Sequence, residues 1–169
     1  MEKTNQFLTF RLMNEQYALE VSQVQEVLEL QDITHIPGMP SYMRGVINIR
    51  GRVVPVVDLR VKLGLPTKET LDDASIIVIE IHDSEMADMD GGSSSGMNDS
   101  SIITVGCLAD SVQEVTTLEA DSMEPPPKMG TSIKSQWIQA IAKREDGFVI
   151  LLDVDKIFSY QELAQVAEG

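Results

Sequence analysis

The chain repeats itself. VQEV occurs at 24–27 and again at 112–115. Further on, YMRGVINIRGRVVPVVDLRVKL (42–63) aligns without gaps with WIQAIAKREDGFVILLDVDKIF (137–158), at a constant offset of 95 residues. Tyr42 meets Trp137, Gly45 meets Ala140, Val56 and Val57 meet Leu151 and Leu152, and Asp58 meets Asp153. In both copies a proline-rich loop, PGMP (37–40) or PPP (125–127), lies between the VQEV element and the longer block. One unit used twice predicts two similar subdomains. In 169 residues each is small, and a core shared between them would stabilise both.

The apolar runs show what the unit is built from. FLTFRL (7–12), VINI (46–49), VVPVVDL (53–59), IIVIEI (76–81), IITVGCLA (102–109), IQAIAK (138–143) and FVILLDV (148–154) are short, rich in Val and Ile, and bounded by turn residues. That is the strand signature. NIRGRVV and KREDGFVI each place glycine between two such runs and read as hairpins. Pro55 has no N–H to give a ladder, which predicts an edge strand or a bulge there. Helices are fewer. Ser22 is placed to cap SQVQEVLEL, although strand pairing competes for its second half, and SYMRG (41–45) reads as one turn. SYQELAQVAE (159–168) reads as a terminal helix, with Ser159 as N-cap and Glu162 in capping-box position, and no receiver module after it. HDSEMADMDGGSSSGMNDSS (82–101) is acidic and Ser/Gly-rich, and reads as a flexible loop joining two neighbouring strands.

The expected fold is all-β, mainly β with a C-terminal helix. A single domain over 1–169 holds two five-stranded β-barrel subdomains related by the pseudo-repeat, at about 16–75 and 76–155. The N-terminal strand and the C-terminal helix pack across them.

Charge limits the partners. There are 27 acidic and 13 basic residues, a formal net charge of −14. Nucleic acid and anionic membrane surfaces call for the opposite sign. No apolar run reaches the roughly 18 residues that span a bilayer, and the N-terminus has no secretory signal pattern. The single cysteine, Cys107, excludes an internal disulfide and fits a reducing cytoplasm. A protein partner is the reading that remains.

Catalytic motifs are missing. There is no nucleophile elbow, no phosphate-binding P-loop and no dinucleotide glycine fingerprint. Cys107 sits inside an apolar run and reads as a buried, inert thiol. His35 and His82 have no ligand spacing. A calcium loop in the acidic segment would need ligands where Met86 and Met97 stand. Asp58 and Asp153 occupy equivalent positions after strands and read as turn caps rather than a catalytic pair. Neither enzyme, metal nor cofactor is expected.

One feature does not repeat. Arg50 and Gly51 face Glu145 and Asp146 in the other copy. A hairpin turn that manages with acids in one copy does not need arginine in the other. Arg50 therefore has a role specific to the first half. An anion-binding module built from Arg44, Arg50 and Arg52 is one alternative.

VSQVQEVLE, DITHIPGMPSYMRGVINIRGRVVPVVDLR, GCLADSVQEV, EPPPKMG and GFVILLDVDKIF together closely resemble the CheW family of chemotaxis coupling proteins. The resemblance covers nearly the whole chain. It implies two intertwined SH3-like five-stranded barrels and no enzymatic activity. It implies a cytoplasmic adaptor, recruited to membrane-associated receptor arrays without direct membrane insertion. The implied partners are the regulatory domain of a CheA-type histidine kinase and the cytoplasmic tips of chemoreceptors. On matching positions, Val24, Glu26, Val27, Leu28, Arg50 and Gly51 would bind receptor, with Val105, Leu108 and Val112 closing the groove. Glu26 and Arg50 would pair, and Ile76 and Ile77 would face the kinase. The same scaffold could serve a pilus-motility or other non-flagellar chemosensory pathway. The 82–101 loop is longer than the tight turn usual in the family.

Overall fold

A computed structural model of the chain describes residues 6–13, 15–65, 74–82, 102–125, 137–144 and 147–158. The expected terminal helix (159–168), the acidic loop after His82 and the Glu145–Asp146 turn lie outside the described residues. The elements are β1 (Gln6–Leu12), β2 (Glu15–Glu20), β3 (Val24–Glu29), β4 (Met43–Ile49), β5 (Arg52–Asp58) and the one-turn helix α1 (Leu59–Lys62). They continue with β6 (Ser75–His82), β7 (Ile102–Ala109), β8 (Ser111–Thr117), β9 (Met123–Glu124), β10 (Ile138–Arg144), β11 (Gly147–Leu152) and the one-turn helix α2 (Val154–Ile157). Every apolar run named above falls wholly or mostly in a strand.

The strands form two sheets, ordered β8-β1-β2-β11-β10-β9 and β3-β6-β7-β5-β4. The two are consistent with a pair of SH3-like barrels. Each sheet curls on itself, since side chains of strands far apart in its order meet. Arg50, in the β4–β5 turn, reaches Glu26 on β3, and Arg144 at the end of β10 reaches Glu114 on β8. A backbone bridge between Thr34 and Val46 further joins the segment after β3 to the β4 edge.

The repeat survives down to its irregularities. The register of β4 on β5 shifts between Met43 and Gly45, and that of β10 on β11 shifts between Ile138 and Ala140, the equivalent positions. The VQEV elements β3 and β8 both lie at sheet edges, and each skips its central glutamine, Gln25 or Gln113, in pairing with its neighbour. Asp58 N donates to Tyr42 O at 2.8 Å, and Asp153 N donates to Trp137 O at 2.9 Å. A bulge inserts an unpaired residue and bends the strand, so its retention in both copies fixes the same curvature.

The sheets do not divide where the sequence suggests. The expected bounds, 16–75 and 76–155, do not coincide with the two sheets. The first barrel takes β1 and β2 from the N-terminal unit and β8 to β11 from the C-terminal one. The second barrel is β3 to β7, residues 24–109, and so includes β6 and β7. Each unit lends its leading hairpin to the other. The chain crosses between barrels at Val21–Gln23, a 3-10 turn, and at Asp110. The exchange explains the core, where Phe10, Leu12, Tyr17 and Leu19 of the first barrel pack with Leu59, Leu63, Ile77 and Ile79 of the second. Each such large apolar side chain contributes roughly 1.5–3 kcal/mol when fully buried.

Local expectations are corrected in three places. SQVQEVLEL is not a helix: its start is the 3-10 turn and the rest is β3, whose edge pairing with β6 claims it. SYMRG has its turn only at Ser41 and Tyr42, and Met43 already begins β4. Pro55 lies on an interior strand, not an edge. It is tolerated because the β5–β7 ladder starts only at Val56, leaving that side of Pro55 unpaired.

Candidate functional site

The β4–β5 hairpin closes through a two-residue turn, since Ile49 pairs with Arg52. Arg50 and Gly51 both take positive φ, 52° and 83°. That combination matches the right-handed twist of the strands, and it is where Asn or Gly normally stands. Asn48 supports the turn by accepting the Gly51 N–H on Oδ1 at 2.9 Å. Arginine pays a steric penalty in this region that glycine avoids. A non-glycine side chain held there points to a use for that side chain.

The guanidinium reaches across to β3. Nη1 donates to Glu26 Oε2 at 2.8 Å and Nη2 donates to Glu26 Oε1 at 2.9 Å. This is the planar bidentate geometry that lysine cannot reproduce. The Arg50 side chain stays 73 % exposed. Hydrogen bonding to Arg50 holds the Glu26 carboxyl below the usual glutamate range, and the same bonds raise Arg50. The equivalent Glu114 in the first barrel has a looser partner, Arg144 Nη2 at 3.5 Å.

The remaining candidates divide by burial. Val27 is exposed, and so is Gly51. Val24 and Val112 are half-buried against the central core, and Leu28 against the smaller core of the second barrel. Val105 and Leu108 are fully buried on β7, an interior strand, and belong to a different sheet from Val112. Their side chains line the core and not a groove. Ile76 and Ile77 are likewise fully buried on β6, so they cannot present side chains to a kinase. Arg50 is committed to Glu26, which removes one of the three donors an Arg44/Arg50/Arg52 anion site would need. Cys107 is buried, and burial pushes its thiol far up. Among the described residues no cluster of His, Cys, Asp or Glu could hold a metal ion.

Asp58 and Asp153 both stand at helix N-caps, but they differ in use. Asp58 accepts Arg60 N at 3.0 Å and also binds the Arg60 guanidinium at 3.2 and 3.1 Å. Asp153 makes no side-chain cap bond. Arg60 was not among the expected site residues. The signal for it lies in the repeat: Arg60 aligns with Asp155, a reversal of charge like that at Arg50. Exposed apolar side chains also add to the candidate surface, chiefly Val53 on the second barrel and Val115 and Phe148 on the first. Val53 and Phe148 are equivalent in the repeat, as are Val27 and Val115.

Residues 6–162 match the CheW-like domain model. A chemotaxis protein CheW from Thermotoga maritima is 31 % identical over 170 residues, covering 99 % of this chain and 94 % of that protein. Another, from Klebsiella aerogenes, is 28 % identical over 161 residues, covering 95 % and 86 %. Protein PilI from Pseudomonas aeruginosa is 31 % identical over 71 residues, 42 % of this chain and 40 % of that one. The crystal structure of scaffolding protein TtCheW from Thermoanaerobacter tengcongensis superposes with a TM-score of 0.74 at 30 % identity, covering 94 % of this chain and 90 % of that chain. No helix among the described residues is long and apolar enough to cross a membrane. With its doubled sheets, its shared core and a match over nearly its full length, the chain belongs to the CheW-like family of chemotaxis scaffold proteins.

Proposed function

We propose that this protein is a non-enzymatic adaptor that couples chemoreceptor tips to a CheA-type histidine kinase. The observation that carries the reading is the Arg50–Glu26 clasp. An exposed arginine is held at a conformational cost on a scaffold of the coupling family, in a hairpin turn where the repeat is broken. A receptor tip is a helical hairpin, and an apolar surface with a few polar anchors suits it. Val27, Val24 and Leu28 on β3 supply the apolar part, and Glu26, Arg50 and Gly51 the polar anchor. With Ile76 and Ile77 in the core, kinase docking falls to exposed side chains, of which Val115 and Phe148 are the apolar candidates on the first barrel. The adaptor works in the cytoplasm and reaches the membrane through its receptor.

The test is an NMR titration of labelled protein with a receptor-tip helical hairpin and, separately, with the kinase regulatory domain. The reading expects two distinct patches of shifted amides, one centred on Glu26 and Arg50. An absence of shifts with either ligand would overturn it.

A second reading keeps the scaffold and changes the pathway to pilus motility or another non-flagellar array. The partial match to PilI favours keeping it. Parallel titrations with receptor tips from the two kinds of pathway would separate the readings by affinity.

A further inference from the structure

We propose that α1 is a clamp that fixes the angle between the two barrels, with Arg60 and Lys62 as its cations and Asp110 as its anchor. Asp110 is the single residue between β7 of the second barrel and β8 of the first. Its carboxylate divides between them. Oδ2 accepts Met13 N at 2.6 Å, from the β1–β2 turn of the first barrel. Oδ1 lies 3.5 Å from Arg60 Nη1, on α1 of the second. The Asp110 N–H also donates to Arg11 O at 3.0 Å. The Arg60 side chain is buried, and its other nitrogens are satisfied by Asp58.

Lys62, two residues on, makes a second crossing. Its Nζ lies 4.2 Å from the Tyr42 ring centroid and 5.6 Å from that of Trp137. Tyr42 leads into β4 of the second barrel and Trp137 into β10 of the first. These aromatics occupy equivalent positions of the repeat, so one ammonium is shared between the two halves. Both distances lie within the range of cation–π attraction.

The opposite joint carries different residues. On α2 the positions of Arg60 and Lys62 hold Asp155 and Ile157. At that crossover Gln23 Nε2 donates an exposed hydrogen bond to Asp155 Oδ2 at 3.2 Å. The scaffold is duplicated, but the Arg60 and Lys62 cations are not. Asp110 is not needed to neutralise Arg60, since Asp58 already does so. Its charge acts at the joint. Buried ionic groups are best attested as devices that specify one arrangement over others.

The experiment measures residual dipolar couplings of backbone amides in the full chain, with no partner in the sample. The result is therefore independent of the adaptor reading. In the unmodified protein one alignment tensor fits both sheets. With Asp110→Asn, each barrel still fits its own tensor, but the two tensors diverge by more than the spread between halves of a single barrel. Lys62→Met, which keeps the stem and removes the charge, gives a smaller divergence and keeps the test open should Asp110→Asn fail to fold. Gln23→Ala leaves a single tensor. A single tensor with Lys62→Met and with any folded Asp110→Asn overturns the proposal, as does an equal divergence from Gln23→Ala.

Discussion

Glu26 and Arg50 meet through two hydrogen bonds, 2.8 and 2.9 Å, although Glu26 lies on β3 and Arg50 follows β4, the strands at opposite ends of one sheet's order. The contact is possible only because the sheet curls, so it ties barrel closure to the candidate site. It also explains how arginine is tolerated at a φ of 52°. The bidentate pairing gives the side chain one orientation, and that orientation requires the turn.

Arg50→Gly separates the two roles. Glycine adopts the turn without strain, so thermal unfolding should rise or stay within about 3 °C. Receptor-tip affinity should fall about tenfold, as for loss of a polar anchor. Calorimetric titration beside a melting curve measures both. Equal affinity for the glycine variant would leave Arg50 as a turn residue only.

The pair sets a pH dependence. The Glu26 carboxyl is held below its ordinary range, chiefly by hydrogen bonds from Arg50. Its contribution is present above the unfolded value, about 4.3, and is lost as pH falls through the lower folded value. A carboxyl-carbon NMR titration should place the Glu26 midpoint below those of exposed glutamates. In Arg50→Ala the midpoint should move up into their range.

The strands were legible where Val and Ile cluster, because a short apolar run bounded by turn residues has few other uses. β2 was not, since EQYALE has no alternation: Tyr17, Ala18 and Leu19 are all buried, because the strand is covered on both faces. β8 was hidden by its polar edge sequence, SVQEVTT. The repeat gave the units but not the exchange of hairpins, because equivalent units carry equivalent pairing surfaces and sequence does not say which copy is used. Arg50 was legible as a break in the repeat. The burial of Val105 and Leu108 was not legible, since family position alone does not tell which face of an interior strand is open.

Asp58 and Arg60 are the buried pair on which α1 depends, with side chains 1 % and 4 % exposed. Removing Asp58 leaves the buried Arg60 guanidinium with only the Asp110 carboxylate, 3.5 Å from Nη1, as counter-charge. Asp58→Ala should cost about 3–5 kcal/mol in urea unfolding. The equivalent Asp153→Ala removes no cap bond and should cost under about 1 kcal/mol. Similar losses for both would show that the two turns are held alike.

Cys107 is closed to chemistry in the folded state. It is fully buried, and burial raises its thiol. Folded protein at about pH 8 should not react with a disulfide reagent, whereas denatured protein should react at one thiol per chain. Rapid modification of folded protein would mean that β7 opens locally.

Gly45 tests the close approach that shapes the second barrel. Its φ is +143°, and a Cβ there would lie 2.1 Å from the Thr34 carbonyl oxygen. That oxygen accepts the Val46 N–H at 2.9 Å in the bridge between Thr34 and Val46. The obstacle is backbone, so no side-chain rotation relieves it. Gly45→Ala should therefore destabilise by about 2–4 kcal/mol, combining strained φ with loss of the bridge. The equivalent residue of the other copy is already alanine, Ala140, and does not take positive φ. Ala140→Gly should cost at most about 1 kcal/mol. Urea unfolding of the two variants measures the difference directly. Hydrogen exchange at Val46 should rise in Gly45→Ala if the bridge is what fails, and stay slow if the strain is absorbed elsewhere.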